Sequence, residues 1–149
     1  MKMKKIVSVK KPVQKSQTTK SKVPKEPTEF QSICSSLNLM AEVVYETAKS
    51  KGFHDAPVPM SESVANIHGE VSELFESYRR GTLRLLCDKA GKMYKIGLPG
   101  LTCIEEELAD IIIRALDTAQ EHGIDIGRAV FAKDAFNRRR PHRNGGKFA

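Results

Sequence analysis

The hydrophobic positions between Thr102 and Gly123 follow the spacing of an α-helix. Thr102 and Glu105 fit a capping box at its start, and Gly123 is a typical C-terminal stop. Its apolar residues recur every three or four positions: Ile104, Leu108, Ile111, Ile112, Ala115, Leu116 and Ala119. With Ile113 they cover more than half of the helical wheel. We therefore expect this helix to be buried on most sides.

Two earlier stretches show the same helical spacing. The first predicted helix runs from Thr28 to Lys51 and ends before Gly52. The second is capped by Ser61 and ends near Gly81. Gly69 lies in its interior, where a glycine is unfavourable, and a close packing contact would explain it.

The last helix begins after Asp125, a good N-cap, and runs from Ile126 to about Arg140. Pro141 closes it, because proline disfavours helical geometry in the residue before it. Residues 82–101 are less regular, and the DKAGK and GLPG segments predict turns. The pattern as a whole predicts an all-α fold, a helical bundle of four main helices.

Charge divides the chain into a tail and a domain. Residues 1–28 contain nine lysines and one acid, Glu26, a net charge of +8. Because the whole chain carries +7, residues 29–149 carry −1. We expect a disordered Lys-rich tail over 1–28 and a folded domain over 29–149. The tail is either solvated without a specific partner or in weak contact with nucleic acid.

Cysteine usage and hydropathy indicate the compartment. The three cysteines, Cys34, Cys87 and Cys103, form no CxxC pair, and Cys34 lies on an apolar helical stripe, as buried free thiols often do. No apolar run approaches the roughly 18 residues of a membrane span, and the N-terminus lacks the apolar core of a secretory signal. We expect a cytoplasmic protein with no membrane contact.

Two pairs of acidic residues are the candidate functional residues. Glu70 and Glu73 lie three residues apart on the second helix, and Glu107 and Asp110 do so on the helix after Thr102. Such pairs are common on solvated helix faces, but these border the apolar arcs, so a bundle would bring them together. Four carboxylates in one pocket require a cation. An all-oxygen ligand set suits Mg²⁺, with Mn²⁺ as a substitute.

A stripe of donors on the last helix complements the acidic pairs. Lys133, Asn137 and Arg140 share one face, because they lie four and three residues apart. They could meet an anionic ligand. Since Mg²⁺ keeps coordination positions for water and phosphate oxygens, a phosphate-bearing substrate follows.

With these residues in place, the sequence resembles the MazG-like all-α nucleoside triphosphate pyrophosphohydrolases between Phe30 and Phe148. The matching motifs are EVSE at 70–73, ELAD at 107–110 followed by IIIRALDTAQEHGID, and KDAFNRRRPH at 133–142 with a Gly-Gly-Lys close. The resemblance implies hydrolysis of a (d)NTP or a modified nucleotide to the monophosphate and pyrophosphate. It implies a homodimer or homotetramer that completes the bundle.

The resemblance also implies roles for individual residues. The catalytic metal ligands would be Glu70, Glu73, Glu107 and Asp110, one of which orients or deprotonates the attacking water. The contacts to phosphate or nucleotide would be Lys133, Asn137 and Arg140. The 33 residues between Glu73 and Glu107 exceed the family's usual spacing, which leaves the base preference open.

Two alternatives stay open from sequence. Phosphoribosyl-ATP pyrophosphohydrolases share the fold and the acidic helices, but usually carry a Tyr-His pair soon after the last acid. Here Asp110 is followed by three isoleucines. The other alternative is a non-catalytic helical module with surface carboxylates and a nucleic-acid-binding Lys-rich tail.

Overall fold

Five α-helices form the part of the chain, residues 28–142, that this computed structural model describes. They are α1 (Thr28–Ser50), α2 (Met60–Arg79), α3 (Ala90–Lys95), α4 (Cys103–Glu121) and α5 (Ile126–Arg138). No strand occurs among these residues, although Leu86 and Thr102 form an isolated antiparallel bridge. The predicted all-α class is confirmed. Of the predicted disordered tail over 1–28, only Thr28 is described, as the first residue of α1. The rest of the tail and the Gly-Gly-Lys close lie outside the described residues.

Capping of α4 and α5 follows the sequence. One carboxylate oxygen of Glu105, Oε2, accepts hydrogen bonds from the Thr102 backbone N–H at 2.8 Å and from the Thr102 hydroxyl at 2.7 Å. Gly123 ends α4 in the left-handed conformation, with φ of 64°. Asp125 caps α5 by accepting from the Arg128 N–H at 2.9 Å. Local polar chemistry thus determines these ends.

Two local predictions are wrong. The N-cap of α2 is Pro59, not Ser61, and its carbonyl accepts from the N–H groups of Glu62 and Ser63 at 2.9 and 3.1 Å. Proline has its φ fixed at −63° here and starts the helix earlier than the serine would. The segment predicted as a turn at 88–92 instead enters α3, where Ala90 is buried. Burial of a small side chain stabilises this short helix.

The helices pack in the order α2, α4, α1, α5. The core between α1 and α4 is small and consists of Ala41, Val44 and Leu116, against which Leu37 and Ile126 pack. None of the helices in residues 28–142 is long and apolar enough to cross a membrane.

A glycine allows α5 to approach α1 closely. The N–H of Gly127 donates to the side-chain oxygen of Asn38 at 2.8 Å, and the amide of Asn38 donates to Asp125 at 2.9 Å. A Cβ at Gly127 would overlap the backbone carbonyl of Cys34. The α1–α5 crossing therefore requires glycine at this position.

The helix α4 is less buried than its hydrophobic arc predicts. Leu108 and Ile112 are 45% and 57% exposed, and Ala115 is exposed as well, whereas Leu116 and Ala119 are buried. Among the described residues the main helix contacts of α4 are with α1 and α2, and the apolar side that carries Leu108 and Ile112 is exposed. The expectation of burial on most sides is wrong for the isolated chain.

Candidate metal centre

Packing of α2 on α4 brings three of the four predicted acidic residues together. One carboxylate oxygen from each of Glu70, Glu73 and Glu107 lies within 4.8 Å of the others. The three-residue spacing places Glu70 and Glu73 one turn apart on α2, facing Glu107 on α4. Asp110 is outside this three-residue group, but it is close enough to Glu70 for that charge to raise its pKa.

Burial differs among these carboxylates. Glu107 is only 8% exposed, Glu70 is half-buried and Glu73 is exposed. Burial raises the pKa of Glu107, and the negative charges of Glu73, Glu106 and Asp110 raise it further. Glu107 is therefore the carboxylate whose ionisation most needs a nearby positive charge.

The pKa of Asp110 is raised as well, like that of Glu107. Burial is the main cause of its raised pKa, followed by the charge of Glu70. Lys89 and Arg114 partly offset this effect. Burial is thus the main factor that opposes ionisation of both Glu107 and Asp110.

Two positively charged side chains that the sequence did not single out contact the acidic residues. The Nε of Arg114 donates to Oε1 of Glu70 at 2.9 Å. The ammonium of Lys89 pairs with Oε1 of Glu106, which is buried, at 2.5 Å. Arg114 follows Asp110 by four residues, so helical spacing places it on the same face. Lys89 comes from the segment before α3, and no sequence pattern predicts its contact.

The acidic residues lie between two clefts. The first, of about 460 Å³, has Glu73, Glu106 and Glu107 in its wall, with Arg80 and Cys87. The second, of about 450 Å³, has Glu70, Asp110 and Arg114 beside mainly apolar side chains that include Val44, Phe53 and Ile113. Glu73 and Glu107 are therefore accessible to a ligand from the first cleft, and Glu70 and Asp110 from the second.

The donor chemistry of the Glu70–Glu73–Glu107 group fits a hard divalent cation. All three ligands are carboxylates, and they are held by two packed helices, which suits Mg²⁺ or Mn²⁺. A second cluster contains Cys87, Asp88 and Glu106, with ligand atoms within 4.8 Å of one another. Its thiol would favour a softer ion. The all-oxygen group is the better candidate for magnesium.

The three predicted substrate contacts lie on another surface of the chain. Lys133 and Asn137 line a shallow cleft formed by α5 alone, to which none of the four acidic residues contributes. The charged groups of Lys133 and Arg140 lie 5.4 and 5.3 Å from the centre of the Phe136 ring. Since α5 packs against α1, one described chain does not bring these residues to the carboxylates.

A histidine that the sequence did not single out, His54, lies between α1 and α2, and its buried side chain contacts another part of α4. The Nε2 of His54 is 2.8 Å from Oδ1 of Asp117, and its Nδ1 is 3.3 Å from Oε2 of Glu121. Its ring packs on that of Tyr45 at 4.5 Å between centroids. These contacts fix the α1–α2 connection against α4, so we assign His54 a structural role.

Comparisons with family models, with curated proteins and with solved structures give no match for this chain. The MazG-like resemblance therefore depends on the sequence motifs alone.

Proposed function

We propose that this chain is a magnesium-dependent nucleoside triphosphate pyrophosphohydrolase of the MazG-like kind. It would hydrolyse a (d)NTP or a modified nucleotide to the monophosphate and pyrophosphate. The observation that carries the proposal is the convergence of Glu70, Glu73 and Glu107, whose carboxylate oxygens lie within 4.8 Å of one another on two packed helices. Asp110 extends the group on α4.

In this proposal Glu70, Glu73, Glu107 and Asp110 hold Mg²⁺, for which Mn²⁺ substitutes. The bound ion would polarise the phosphoryl group and lower the pKa of water. One of these four carboxylates would also orient the water or accept its proton. As the water oxygen bonds to the α-phosphorus and its proton passes to the carboxylate, the α–β anhydride bond breaks and pyrophosphate leaves.

The proposal includes a homodimer or homotetramer. Lys133, Asn137 and Arg140 would contact phosphate or nucleotide, and a second copy would bring its α5 to the acidic group. Apolar side chains exposed on α2 and α4 support such an assembly: Val64, Val71, Phe75, Tyr78, Leu108 and Ile112. We place the enzyme in the cytoplasm and assign the Lys-rich tail at most a weak contact with nucleic acid.

Pyrophosphate release tests the proposed reaction. Canonical and modified (d)NTPs are incubated with the full chain in Mg²⁺, in Mn²⁺ and in EDTA. We expect metal-dependent release that Glu107→Gln lowers by at least about 100-fold, the size of effect usual for a general base. Glu42→Gln is the matched control, because Glu42 is exposed on α1 and belongs to neither candidate metal group. This control should keep the wild-type rate.

Each other outcome contradicts the proposal in a distinct way. Normal turnover by Glu107→Gln would show that the site is wrong. Release from phosphoribosyl-ATP alone would favour the histidine-biosynthesis enzyme. No release from any nucleotide, together with salt-dependent nucleic-acid binding that deletion of residues 1–28 abolishes, would favour the non-catalytic module.

A further inference from the structure

Arg114 contacts the acidic group, the carboxylates of Glu70, Glu73 and Glu107, through one edge of its guanidinium. Its Nε donates to Glu70, while its two terminal amino groups make no hydrogen bond to any described residue. The side chain is 37% exposed. Because a guanidinium carries five N–H donors in one plane, most of its donor capacity is unused.

Arg114 is part of the wall of the mainly apolar cleft. Arg114 lines the cleft of about 450 Å³ together with Glu70, Asp110 and Lys51. Lys51 is exposed and forms no ion pair with a described residue. The cleft thus has two cationic side chains and three carboxylates. Glu70 and Asp110 are proposed metal ligands, and Asp117 is in contact with His54.

We infer that Arg114 binds a phosphate group of the substrate in this cleft, a role that rests on the proposed function. Glu70 fixes the Nε edge, and the two amino groups donate to phosphate oxygens in the paired geometry that arginine favours. Lys51 contributes a second positive charge. Without Arg114, a phosphate entering this cleft would meet the carboxylates of Glu70 and Asp110 with less compensating positive charge.

If Arg114 binds phosphate, its substitution should change the affinities for cations and for anions in opposite directions. Removing a positive charge 2.9 Å from Glu70 makes the acidic group more negative, so a divalent cation should bind at least as tightly as before. The same change removes donors for phosphate, so an anion should bind less tightly. A residue that only supported the fold or oriented Glu70 would weaken both.

Two titrations on the full chain test the inference. The first measures the rise in melting temperature with Mg²⁺, and the second measures calorimetrically the affinity for inorganic triphosphate at saturating Mg²⁺. We expect Arg114→Gln to weaken triphosphate binding about tenfold or more, as the loss of charge-assisted hydrogen bonds does, with Mg²⁺ affinity unchanged or higher. Arg114→Lys should restore part of the anion affinity.

Arg128→Gln is the matched control, because Arg128 is exposed on α5, pairs with Asp125 and lines neither cleft at the acidic group. It should change neither titration. Unchanged triphosphate affinity in Arg114→Gln, or loss of both affinities, would overturn the inference. Neither titration requires turnover, so failure of the pyrophosphohydrolase proposal is recognised separately, by the absence of pyrophosphate release from wild type.

Discussion

Glu107 and Asp110 are carboxylates whose surroundings oppose their ionisation. Burial is the first cause for both, and neighbouring carboxylates add to it. A raised pKa in the folded chain means that the folded state keeps its proton to a higher pH than the unfolded state. The free energy of unfolding therefore falls as pH rises from the ordinary carboxyl range through the raised pKa.

Substitution of Glu107 tests this charge repulsion independently of any activity. In EDTA at neutral pH, we expect Glu107→Gln to raise the melting temperature by a few degrees, because it removes a buried charge among like charges. The difference should shrink as pH falls into the ordinary carboxyl range, where the wild-type side chain becomes protonated. Thermal unfolding at several pH values measures it.

Glu105→Gln is the control, and we expect its change in melting temperature to have the opposite sign. Hydrogen bonds from the Thr102 N–H and hydroxyl lower the pKa of Glu105, so its stabilising effect is present above the ordinary carboxyl pKa and is lost as pH falls. This variant should melt below wild type at neutral pH. A neutral-pH melting temperature for Glu107→Gln below that of wild type would contradict the repulsion account.

At the scale of elements, the α1–α5 crossing depends on the absence of a side chain at Gly127. We expect Gly127→Ala to destabilise the chain by about 1–3 kcal/mol, the usual cost of overpacking, because its Cβ would overlap the rigid backbone of Cys34. Chemical denaturation measures the change in the free energy of unfolding.

Gly69→Ala is the matched control, since nothing lies within 4 Å of the Cβ that it adds. The packing contact suggested from sequence for Gly69 is therefore wrong. In α2 the alanine should stabilise by up to about 1 kcal/mol through helix propensity. Equal effects of the two substitutions would show that the crossing does not require close approach.

At the scale of the whole molecule, the exposed apolar side chains of α2 and α4 form the surface that the proposed oligomer would bury. We expect Ile112→Lys to lower the mass of the particle in solution, because a charged side chain would be placed in an apolar interface. Light scattering after size exclusion measures the mass, and circular dichroism checks that the helices remain.

Ile96→Lys is the control for the mass measurement. Ile96 is 73% exposed, directly follows α3 and belongs to neither α2 nor α4. It should leave the mass unchanged. A monomeric wild type, or an Ile112→Lys variant with the wild-type mass, would contradict this interface.

Local chemistry in the sequence determined the four long helices and the acidic pairs on α2 and α4, but not the short helix α3. The capping box at Thr102, the cap at Asp125 and the spacing of Glu70 with Glu73 depend on residues within one turn. The position of Arg114 beside the acidic residues could also be predicted from sequence, because it lies one helical turn after Asp110.

Only the tertiary structure decided which helices meet. It placed Glu107 against the α2 pair, brought Lys89 to Glu106, and put Lys133 on a separate surface. Within residues 28–142 it also left one apolar side of α4 exposed. These outcomes depend on contacts between residues far apart in sequence, and helical periodicity specifies which side of a helix is apolar without specifying what covers it.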